Sequence, residues 1–93
     1  MAVKVKLPTI LRKHSDGVAV VEAEGGTLGE VLKDLESRHP GITHAILTND
    51  GESLHRFVNV YVNGEDVRYS GSLATTLSEG DTVSILPAVA GGS

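Results

Sequence analysis

Thr27-Leu28-Gly29-Glu30-Val31-Leu32-Lys33-Asp34-Leu35-Glu36-Ser37-Arg38 reads as a helix of full length, and no comparable stretch accompanies it. Thr27 and Glu30 have capping-box spacing: the Thr27 hydroxyl accepts from the third helical amide, and the Glu30 carboxylate reaches back to the cap. Leu28, Val31, Leu32 and Leu35 fall at i, i+3, i+4 and i+7, which makes one apolar stripe. Lys33, Asp34, Glu36 and Arg38 take the other side. Pro40-Gly41 stops the helix, with Arg38 and His39 at its negative end. At about 1.5 Å per residue these residues span roughly 18 Å, the width of one face of a small sheet. One helix covers only one face of a sheet, so a two-layer α+β domain is expected.

Strand signals lie on both sides of this helix. Met1 to Leu7 alternates Val3, Val5 and Leu7 with Lys4 and Lys6, the period of a half-buried strand, and Pro8 closes it. Ile10 and Leu11 are apolar enough to tuck under, and Lys13 to Gly17 reads as a polar turn. Val18 to Ala23 is rich in β-branched residues and ends at Gly25-Gly26, so it completes a loose hairpin. After the helix, Ile42 to Leu47 suggests a short helical turn and Thr48 to Ser53 a polar loop. Phe57 to Val62 is a strong strand, with Val58, Val60 and Val62 on one face and Phe57, Asn59 and Tyr61 on the other. Asn63-Gly64 is a type I′ hairpin signal, returning Glu65 to Arg68 as an edge strand. Leu73 and Leu77 bracket a brief turn, and Gly80-Asp81 introduces a last strand from Thr82 to Leu86. Burying that last strand places it centrally, parallel to the first. The expectation is a β-grasp, ubiquitin-like fold: a mixed sheet with one main helix on one face. Residues 1–87 form the domain and residues 88–93 a flexible tail carrying Gly-Gly.

Composition narrows the function. With 93 residues the chain suffices for one small domain, and 40% apolar with 22% charged residues suits a soluble globule. The aromatic residues are Phe57, Tyr61 and Tyr69, so Val, Leu, Ile and Ala must build the core. A formal charge of −4 argues against nucleic acid as a partner. The absence of cysteine excludes a disulfide framework, a thiol nucleophile and a thiolate metal site. With no signal peptide and no apolar run of membrane-spanning length, a cytoplasmic location and no membrane partner are expected.

Little in the chain suggests catalysis. His14, His39, His44 and His55 lack metal-ligand spacing, so no metal site is expected. The aspartates sit mainly in turns, where they make local hydrogen bonds. No serine stands in a Gly-x-Ser-x-Gly elbow. Gly25-Gly26 precedes the helix as an anion-binding loop would, but Thr27 and Glu30 already serve that end. The distinctive chemistry lies in Leu86-Pro87-Ala88-Val89-Ala90-Gly91-Gly92-Ser93. Proline ends the strand, and two glycines let the backbone thread a narrow active site of another protein without a Cβ to clash. From Pro87 to Gly92 the extended arm reaches roughly 20 Å. The chain reads as a substrate or partner, not an enzyme.

Three segments carry a family resemblance. They are Leu54-His55-Arg56-Phe57-Val58-Asn59-Val60-Tyr61-Val62-Asn63, then Glu65-Asp66-Val67-Arg68, and then Gly80-Asp81-x-Val83-x-Ile85-Leu86-Pro87-Ala88-Val89-Ala90-Gly91-Gly92. Together with the opening run from Val5 to Arg12 they resemble sulfur carrier proteins of the ThiS/MoaD family. Within it they are most similar to actinobacterial carriers used in cysteine biosynthesis. The resemblance implies that the Gly92 carboxylate is adenylated by an E1-like adenylating and sulfurtransferase enzyme that uses ATP. Sulfide transfer then displaces AMP and leaves a thiocarboxylate, a nucleophile on an arm. In the cysteine route it attacks an aminoacrylate on a pyridoxal-phosphate (PLP) dependent cysteine synthase, and a metallopeptidase frees the product. The carrier itself binds no cofactor. Gly92 is the reacting residue, Gly91 gives access, and Ala88, Val89 and Ala90 are a slim spacer.

Ser93 departs from the family pattern, since adenylation requires Gly92 to be terminal. Either a peptidase trims it or it is an appended remnant. Phe57, Tyr61 and Arg68 are candidate partner-contact residues, although the two aromatics equally suit a small apolar cluster. Alternatives are a sulfur carrier for molybdopterin or thiamine synthesis, a ubiquitin-like modifier joined to target lysines, and a binding module with an incidental Gly-Gly-Ser.

Overall fold

The computed structural model of the protein describes residues 2–48, 53–55 and 58–87. Strand β1 (Ala2–Lys6) is followed by a 3-10 segment (Thr9–Ser15), β2 (Val20–Glu24) and helix α1 (Leu28–Arg38). A 3-10 turn (Ile42–Ala45) leads on to β3 (Val58–Val62), β4 (Glu65–Asp66), two more 3-10 turns (Val67–Tyr69, Ser72–Ala74) and β5 (Thr82–Pro87). The strands form one sheet in the order β2-β1-β5-β3-β4. β1 and β5 are parallel, and every other pairing is antiparallel. The last strand is therefore central and flanks the first in parallel, the topology expected from the pattern.

Alternation along the strands builds the core. Val3, Val5, Ala23, Val58, Val60, Val83 and Ile85 are buried from the sheet, and Leu28, Val31, Leu32 and Leu35 from α1. Leu7, Leu11, Ile42, Ile46, Val67 and Leu77 join the same cluster. Each fully buried aliphatic side chain contributes about 1.5–3 kcal/mol relative to exposure. α1 starts as its cap demands: Thr27 Oγ1 accepts from the Glu30 amide at 3.3 Å. The Glu30 carboxylate, however, accepts from the Gly26 amide at 2.8 Å, one residue before the cap. At Gly25 a Cβ would lie 2.7 Å from the Val31 nitrogen, so glycine there permits the close approach of β2 to α1. Asn63 (φ 50°) and Gly64 (φ 89°) are both left-handed, as the hairpin signal requires.

Three expectations need correction. Ile10 is 62% exposed and does not tuck under; Leu11 alone does. β2 starts at Val20 rather than Val18 because the buried Ser15 hydroxyl lies 2.7 Å from the Val18 carbonyl and holds that residue in the turn. The edge strand β4 ends at Asp66, where the Asp66 carboxylate caps the following 3-10 turn by accepting from the Arg68 amide at 2.9 Å.

Candidate functional site

The candidate site is the arm and the strand that carries it. Phe57, Ala88, Val89, Ala90, Gly91 and Gly92, together with Ser93, lie outside the described residues. The structure describes the root from which the arm departs, and there the sequence motifs have physical work.

β5 is anchored at its start by Gly80-Asp81. Gly80 is left-handed, and its amide donates to the Ala2 carbonyl. One Asp81 oxygen accepts from the Ser78 amide at 2.8 Å, and the other from Asn63 Nδ2 at 3.0 Å. These bonds hold the Asp81 carboxyl below the usual range, the Ser78 amide contributing most. Asn63 in turn accepts from the Thr82 amide at 3.0 Å through Oδ1 and donates its own amide to the Thr82 carbonyl at 2.9 Å. The hairpin residue and the Gly-Asp pair thus lock the strand's entry. Asn63 signals a turn in the sequence; its clamp on β5 has no local signal.

Further along, β5 is held by β3. β3 pairs with it from Val62↔Val83 to Val58↔Pro87. β4 is too short to cover the beginning of β3, and Arg68 substitutes for it. Its guanidinium donates to the Val58 carbonyl at 2.7 Å and to Asn59 Oδ1 at 2.6 Å, with Asp66 3.9 Å away. Arg68 therefore braces the strand beside the arm's root, a role that pattern reading misses. Tyr61 lies on the sheet face away from α1, opposite Ser84 of β5, and is half-buried.

That open face ends in a cleft of about 530 Å³ at the arm's root, lined by Lys6, Leu7, Pro8, Ile10, Arg12 and Leu86 among others. Leu86 is 48% exposed there. The opposite end of β5 borders a smaller, polar cleft of about 300 Å³, near Asn63, Glu65 and Asp81. Among the described residues no group of three or more His, Asp or Glu side chains is placed to hold a metal ion. Among them, too, no helix is long and apolar enough to cross a membrane.

The profile of the ThiS family matches residues 5–92, from β1 to the second glycine. The sulfur carrier protein CysO of Mycobacterium tuberculosis is 55% identical over 93 residues, covering 99% of this chain and 100% of the relative. A crystal structure of an Amycolatopsis orientalis BexX/CysO complex contains a chain 56% identical to this one. It covers 97% of this chain and 99% of that one, with a TM-score of 0.89. Small archaeal modifier protein 3 of Haloferax volcanii is 41% identical over 69 residues, 74% of this chain and 73% of the relative. The family profile takes in the β-grasp core, the clamped final strand and both glycines, and on that basis the chain belongs to the ThiS family.

Proposed function

We propose that this protein is a sulfur carrier for cysteine biosynthesis that works through its C-terminal Gly92. The observation that carries the reading is the full-length likeness to a sulfur carrier protein, in a family match that runs through Gly92. A carboxylate is a poor acceptor of sulfide. An E1-like partner uses ATP to form the acyl-adenylate and releases pyrophosphate. Sulfide then attacks the acyl carbon, AMP leaves, and a thiocarboxylate remains. Its sulfur is the nucleophile that a PLP-dependent cysteine synthase receives. The catalytic groups and cofactors belong to those partners; the carrier supplies a rigid base and an arm. Ala88, Val89, Ala90 and Gly91 keep the arm slender, while Arg68 stands near its root, Tyr61 lies opposite Ser84 on the open sheet face, and Phe57 adjoins β3 in sequence. A metallopeptidase trims Ser93 or releases the product. The carrier is expected to work in the cytoplasm.

The test is an intact mass after co-expression with the native adenylating enzyme, peptidase and a sulfide source. Loss of Ser93 with one terminal oxygen replaced by sulfur is the expected product. An unchanged mass with demonstrably active partners refutes carrier chemistry. The likeness to a small archaeal modifier protein supports a second reading, in which Gly92 is joined to a target lysine. That reading predicts a stable higher-mass adduct that an isopeptidase reverses.

A further inference from the structure

We infer that the cleft at the arm's root is a docking slot for an extended, acidic segment of the enzyme that activates Gly92. This rests on the sulfur-carrier reading and names how the carrier's body is recognised. β1 leaves the sheet before β5 does. The last β1–β5 pair is Lys6↔Ser84, whereas β5 stays paired with β3 up to Pro87. The Lys4 amide donates to the Asp81 carbonyl, so the alternation turns the main-chain groups of Val83 and Ile85 toward the β1 side. In that register the next donor to the Ile85 carbonyl is the nitrogen of residue 8. Residue 8 is proline and has no hydrogen to give. The sheet thus keeps an open lane beside Ile85, and the cleft occupies it.

The walls of the lane define its occupant. Ile10 and Leu86 present exposed apolar side chains, 62% and 48% exposed. Lys6 and Arg12 line the same cleft, and neither has a carboxylate within 4 Å among the described residues. Arg12 Nε donates to the Leu7 carbonyl at 3.3 Å, which holds the guanidinium at the rim. These cations stand unpaired on a chain of net charge −4. An extended backbone supplies the missing amide donor, apolar side chains cover Ile10 and Leu86, and carboxylates meet Lys6 and Arg12. The activating enzyme is the partner that most needs such a surface. A bare Gly-Gly carboxylate is chemically anonymous, so an enzyme that selects it must read the body. An arm of roughly 20 Å brings that body against the enzyme.

The experiment measures the affinity of the full-length chain for the purified native adenylating enzyme. It compares wild type with K6E/R12E and with K4E/K13E, which makes the same charge change outside the cleft. Circular dichroism and thermal melts verify that each variant is folded. K6E/R12E is expected to weaken binding at least about tenfold and to flatten its salt dependence, and K4E/K13E less than about threefold. Equal losses in both double variants, with wild type thiocarboxylated normally, overturn the slot and leave the function standing. A wild-type chain that the enzyme neither binds nor modifies overturns the function, and the slot with it. Methyl shifts at Ile10 and Leu86 when residues 88–93 are removed from the free chain would identify the arm as occupant. Self-association abolished by K6E/R12E would identify a second copy. Either result refutes the assignment.

Discussion

Two side chains hold backbone that the secondary structure leaves uncovered. Arg68 replaces the missing part of β4 by donating to the Val58 carbonyl beside the arm's root. Its guanidinium is partly exposed, so the bond is worth about 1 kcal/mol. Arg68→Met keeps the apolar stem and removes the donors. A thermal melt should fall by about 4–8 °C, as expected for a domain of this size. Glu36 does the same for the turn after α1. Its carboxylate accepts from the Thr43 hydroxyl at 2.6 Å and from the amides of Gly41 and Thr43 at 2.7 and 3.1 Å. The Thr43 hydroxyl and these amides lower its pKa from 4.5 to about 2. A carboxyl held low in the folded state stabilises the fold above its unfolded pKa and loses that stabilisation as pH falls toward the folded value. The window is therefore about pH 4.5 down to about 2. Full linkage would give about 3 kcal/mol, and screening at this partly exposed site reduces it to about 1–2 kcal/mol. Glu36→Gln should lose that amount at neutral pH. Its stability should fall less steeply than wild type between pH 5 and 2, measured by urea unfolding at each pH.

At the level of elements, β2 and α1 approach closely at Gly25. A Cβ at Gly25 would meet the Val31 nitrogen at 2.7 Å and the Glu30 Cβ at 2.8 Å. Helix backbone cannot yield as a flexible side-chain tip does, so Gly25→Ala should cost about 1–3 kcal/mol by overpacking. A melt within about 1 °C of wild type would show that β2 can draw back from the helix. This close approach is invisible to pattern reading, which sees only a glycine pair ending a strand. The elements themselves were readable, because the apolar period of α1 and the alternation in β1, β3 and β5 express burial on one face. The central place of β5, parallel to the first strand, was readable too, since burying a last strand puts it inside the sheet; that β3 is its other neighbour comes from the structure. The failures came where long-range or side-chain bonds override local preference. Ser15 diverts Val18 from β2, the Asp66 cap ends β4 two residues early, and Ile10 stays in solvent at the cleft. At the site, the arm's glycines stand out by composition, whereas the Asn63–Asp81 clamp and the Arg68 brace join residues 18 and 10 positions from their partners.

Across the whole molecule, stability and function lie in separable parts of the chain. Chain-terminal strands β1 and β5 pair at the centre of the sheet, so the fold closes only when both ends have come together. Among the described residues, the last of the core is Ile85 and the last pair in the sheet is Val58↔Pro87. No described core contact or strand pairing requires a residue beyond Pro87, while the proposed chemistry occurs at Gly92. Deleting Gly91, Gly92 and Ser93 should therefore leave the melting temperature within about 2–4 °C of wild type, since substitutions away from packed or bonded features change stability by only about 0.5 kcal/mol. The same deletion should abolish thiocarboxylate formation completely, read by intact mass with active partners. It should also spare most of the affinity that comes from the body if the cleft at the arm's root docks the enzyme, so the truncated chain should compete with wild type for activation. A truncated chain that melts normally yet fails to compete would locate recognition in the arm instead. One that melts much lower would show that the last three residues belong to the fold.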